Sequence, residues 1–156
     1  MSCDAVALAA SLWLASTSAG PAPAQPQASV TPPSVAAEPL FAGIVQRAAK
    51  LKDATAAYEK ADLAAAFDRM SGAAAFETEV GQLADLDMQG HVELVSRGYS
   101  DDLKCILKGI SQDLPVKMRA LEAASDAKAR RAALEDMFYL LRDNVEVITA
   151  PPQPAA

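Results

Sequence analysis

The sequence predicts an all-α fold: a four-helix-type bundle with short extra helices, preceded by a signal peptide and a proline-rich linker. Three observations carry this expectation. Residues 39–149 are rich in Ala, Leu, Lys and Glu and poor in β-branched and aromatic residues, a helical composition. Apolar residues recur there at intervals of three and four rather than two. An apolar run near the N-terminus ends at a small-residue site and is followed by a stretch punctuated by proline.

That run, residues 5–19 (AVALAASLWLASTSA), precedes Ala22-Pro23-Ala24, which fits the A-x-A cleavage pattern. Residues 1–24 therefore read as a signal peptide, although Asp4 is negative and the first positive side chain is Arg47. The run is shorter than the ~20 residues a membrane-spanning helix needs. Cys3 lies before it, whereas a lipoprotein cysteine follows the apolar run, so no stable membrane span or lipid anchor is expected after cleavage. Residues 25–38 (QPQASVTPPSVAAE) contain Pro26, Pro32 and Pro33 without an apolar period, and read as a disordered linker. Residues 150–156 (APPQPAA) read as a disordered tail, leaving 39–149 as one helical domain.

Within that domain the first helix starts at Pro39, a residue suited to the N1 position. Its stripe is Leu40, Ile44, Ala48, Leu51, Thr55 and Tyr58, widened by Phe41 and Val45. A second helical segment is expected from Asp62, with Leu63, Phe67, Met70 and Ala74 on one face. Phe76, Val80 and Leu83 form another stripe out of phase with it, which places a kink or break at Ser71-Gly72. Gly90 and Gly98 bracket a short apolar piece, expected as a short helix. Ser100, Asp101 and Asp102 read as a helix start, with Leu103, Ile106, Leu107, Ile110 and Leu114 inward. Pro115 should end or kink that helix and open the next, which carries Met118 and Leu121. Ser125 and Asp126 start the last helix, whose face is Leu134, Met137, Phe138, Leu141, Val145 and Ile148 and whose end is set by Pro151 and Pro152.

Charge narrows the partners. The net charge of −6 opposes nucleic-acid binding, which draws on a basic surface. The densest basic cluster, Lys128-Ala129-Arg130-Arg131, reads as a solvated helix face paired along the helix, as in Arg131–Glu135.

Chemistry-bearing residues are sparse. His91 is the single histidine. With a methionine, Met88 or equally Met70, Met118 or Met137 since no spacing selects one, it is the candidate axial pair for a b-type haem inside a bundle. Asp87 and His91 are one helical turn apart, but the spacing around Gly90-His91-Val92-Glu93 matches no metal motif, and no metal is expected. Cys105 follows Lys104 near a helix start, which makes it the reactive-thiol candidate, yet its neighbours Leu103, Ile106 and Leu107 favour a half-buried structural thiol. Removal of the leader takes Cys3 with it and leaves Cys105 without an internal partner. No Ser/His/Asp set and no glycine-rich phosphate loop can be assembled, so no enzyme is expected. The expectation is an exported, periplasmic or secreted interaction module without a cofactor, bound to an envelope protein or to itself. A bundle carrying haem or another ligand is the alternative.

Overall fold

The computed structural model describes residues 34–99 and 102–150. Among them the chain is all-helical, with four long helices and no strand: α1 (Pro39–Glu59), α2 (Ala73–Ser96), α3 (Leu103–Ala123) and α4 (Ala127–Thr149). Each helix packs on the next and α1 packs on α4, which closes the ring. The helices α2 and α4 thus stand diagonally across a shared core, as do α1 and α3. None of the described helices is long and apolar enough to cross a membrane.

The core follows a heptad-like rule on every helix. On α1 the buried positions are Phe41, Ile44, Ala48, Leu51 and Thr55; on α4 they are Arg130, Leu134, Met137, Leu141, Asn144 and Ile148. Alternating steps of three and four keep such positions on one face of a helix. The spacing on α2 is the same, from Ala73 and Phe76 through Val80, Leu83, Asp87 and Gly90 to Leu94.

The helix ends have local causes. Gly72 adopts a left-handed conformation (φ 82°) just before α2. At the far end of α2 the backbone closes with Tyr99 N–H bonded to Leu94 C=O (2.9 Å) and Gly98 N–H to Val95 C=O (3.0 Å). This is the Schellman pattern, and Gly98 at φ 67° supplies the left-handed residue it requires. Asp126 caps α4, its Oδ1 accepting from Ala129 N–H at 2.8 Å.

Several sequence expectations are corrected. Residues 62–70 do not form a helix. Asp62 Oδ1 accepts instead from Ala64 N–H (2.9 Å), a turn that competes with helix formation, and only Phe67–Arg69 make a short 3-10 turn. Leu63 and Phe67 are nonetheless buried, as anchors of the connection. The piece bracketed by Gly90 and Gly98 is the C-terminal part of one continuous α2. Pro115 neither ends α3 nor opens a new helix: α3 runs through it to Ala123, with Leu114, Met118 and Leu121 all buried. Their packing outweighs the one helical hydrogen bond that proline forfeits at the Ser111 carbonyl. Ser34 to Glu38, read as linker, are ordered. Val35–Ala37 form a 3-10 turn, and Val35 is 3% exposed against the bundle. The expected cap at Ser100 and Asp101, the signal peptide and most of the linker and tail lie outside the described residues.

Candidate functional site

Polar side chains inside the core are the first place to look, because a buried polar group without a partner costs ~1–3 kcal/mol. Two such groups meet on the α2–α4 diagonal. Asp87 and Asn144 are both 0% exposed, and Asn144 Nδ2 donates to Asp87 Oδ2 at 2.7 Å. The remaining oxygens, Asp87 Oδ1 and Asn144 Oδ1, have no hydrogen-bond partner. Burial pushes the Asp87 carboxyl up to about 8, and the hydrogen bond from Asn144 offsets only part of that.

Arg130 is the second buried polar feature. The sequence places it in a solvated basic face, but it is 2% exposed, while its neighbours Lys128 and Arg131 are exposed. Its place in the core rhythm of α4, four residues before Leu134, turns it inward. Nη1 donates to the Leu63 carbonyl and Nη2 to the Ala124 carbonyl (2.8 Å), so one guanidinium ties the α1–α2 connection to the α3–α4 turn. Its Nε has no partner.

Outside the core, a groove of about 390 Å³ opens beside the last turns of α1. Ala54, Ala57, Tyr58, Ala61, Met70 and Ser71 line it. The groove is shaped by an aromatic cluster: Tyr58 meets Phe67 and Phe76 edge-on at centroid distances of 5.2 and 5.5 Å. Tyr58 Oη donates to Ser71 C=O at 2.9 Å, which pins the connection to α1.

The structure separates the residues singled out from sequence. His91 is half-buried on the flank of α2, and its Nδ1 donates to Lys104 C=O at 2.6 Å. Since a carbonyl only accepts, the imidazole proton sits on Nδ1. Met88 is also half-buried and off the central stripe. The interior beside them is filled. A methyl added at Gly90 would lie 3.1 Å from Leu107 Cδ1, 3.2 Å from Ile44 Cδ1 and 3.3 Å from Phe41 Cε1. A porphyrin at that level would have to part α2 from α3 and α1. Asp87 turns to Asn144 and Glu93 binds Arg97 (2.9 Å), so neither converges on His91. Among the described residues no three His, Cys, Asp or Glu side chains gather as a metal site. Cys105 is half-buried on α3 and is disulfide-bonded. The chain's other cysteine, Cys3, lies outside the described residues.

The sequence does not single out Asn144, and it offers Asp87 only as a neighbour of His91 and Arg130 only as part of a solvated basic cluster, none of them as a core residue. The signal for them was positional: each continues a three-and-four rhythm of apolar neighbours. Comparison with protein-family models, curated proteins and solved structures gives no match.

Proposed function

We propose that the chain is an exported, non-catalytic helical module that acts through its surface, by binding an envelope protein or a second copy of itself. The observation that carries this reading is the groove of Ala54, Ala57, Ala61 and Met70. It is an apolar strip with small side chains, on which a partner helix can approach closely. The filled interior around Gly90 supports the same reading, since it favours surface recognition over a ligand held between the helices.

The test is a charge in the groove. Ala57 is exposed, so Ala57→Glu leaves the fold intact while placing a carboxylate where the partner would sit. Native mass and light scattering of the full chain, with cross-linking in the host envelope, should show a complex that this variant loses. A complex indifferent to Ala57→Glu sinks the groove as the docking face. The competing reading, a haem-carrying bundle, predicts a coloured protein that loses its pigment in His91→Ala.

A further inference from the structure

Asn144 Nδ2 already donates to one oxygen of Asp87, and the two oxygens left without partners belong to this same pair. An ionised Asp87 would set a bare carboxylate oxygen and a bare amide oxygen inside the core, both acceptors and neither with a donor. One proton resolves both deficits.

We propose that the bundle folds around a neutral carboxylic acid: Asp87 Oδ1 carries a proton that it donates to Asn144 Oδ1, so that α2 and α4 are joined by two reciprocal hydrogen bonds, and loss of that proton loosens the diagonal.

Among the described residues, none gives an ionised Asp87 a counter-charge. On α2 Asp85 is exposed, and His91, one turn on, is committed through Nδ1 to Lys104 C=O. On α4, Arg142 and Asp143 flank Asn144 but bind each other at the surface (2.8 Å). From α1, Arg47 is held by Glu79 and Gln82, and Lys52 lies toward Asp53. From α3, Lys104 donates to Tyr99 C=O, and Lys108 is half-buried. None of them forms an ion pair with Asp87. Arg130, the other buried charge, is committed to the Leu63 and Ala124 carbonyls.

The sign of the pH dependence follows. The folded carboxyl keeps its proton up to about 8, whereas an unfolded one releases it near 3.8, so folding takes up a proton between these values. The contribution of this group is complete below about pH 4 and is lost as pH rises toward about 8, with the unfolding constant growing by up to about tenfold per pH unit.

The experiment is a carbon-13 NMR titration of the Asp87 side-chain carboxyl in the full chain. The expected result is a resonance that stays at its protonated position through pH 6 and moves only near pH 8. A midpoint near pH 4 overturns the proposal, and this measurement needs no variant to fold. Urea unfolding at pH 5 and pH 8 gives a second reading. Asp87→Asn, which places a permanent donor beside Asn144 Oδ1, should remove most of the loss of stability that the wild type shows between the two. An equal loss in wild type and variant also overturns it.

Discussion

Arg130, in the first turn of α4, donates through Nη1 to the carbonyl of Leu63, in the connection between α1 and α2. With the bond from Nη2 to Ala124 C=O, a single side chain closes one end of the bundle by holding both of its connections. Among the described residues no carboxylate forms an ion pair with this buried cation; backbone carbonyls neutralise it in part.

Arg130→Ala should therefore lower stability by about 2–4 kcal/mol, since two carbonyls lose their donor and a cavity opens. Arg131→Ala, at an exposed neighbouring position, should change it by less than ~0.5 kcal/mol. Urea unfolding of the two variants checks the contrast. Equal effects would show that the buried guanidinium does not hold the connections.

Two glycines within α2 should respond in opposite directions. At Gly81 a Cβ meets nothing within 4 Å, so Gly81→Ala should stabilise by about 0.5–1 kcal/mol through helix propensity. At Gly90 the Cβ would press on Leu107, Ile44 and Phe41, all fully buried and themselves confined. Overpacking of ~1–3 kcal/mol then exceeds the propensity gain, and Gly90→Ala should destabilise by about 1 kcal/mol. Thermal unfolding of both variants decides it; a stabilising Gly90→Ala would show that the core at this level can give way.

These residues also show what was legible in the sequence. Ile44, Ala48, Leu51 and Thr55 on α1, and Leu134, Met137, Leu141 and Ile148 on α4, are buried at the spacing that marked them. The same spacing misled at Leu63, Phe67 and Met70, where apolar residues anchor a connection whose backbone is turned by Asp62 and by the left-handed Gly72. Gly90 read as a breaker because its sequence neighbours do not reveal that α1 and α3 press on it. Asp87, Asn144 and Arg130 escaped because a polar residue on a helix reads as a solvent face. Only the unbroken rhythm, Val80, Leu83, Asp87, Gly90 and Leu94 on α2, placed Asp87 inside.

Cys105 offers a test of the export reading. The chain has two cysteines, and cleavage after Ala24 would remove Cys3. If the leader is removed, a disulfide at Cys105 has to join a second copy or another thiol. Intact-mass analysis without reductant should then give a chain beginning at Gln25, carried in a covalent adduct that dithiothreitol releases. A monomer retaining the N-terminal residues, two hydrogens lighter than its reduced form, contradicts cleavage at this site.

The most direct test of the surface-acting reading is a native mass spectrum of the protein taken from its own envelope fraction, compared with Ala57→Glu. The expected result is a chain without a bound small molecule, in a complex with a second copy or an envelope protein that Ala57→Glu dissolves. Extra mass matching haem or another ligand on the single chain, present in both forms, would contradict it and return attention to His91 and Met88.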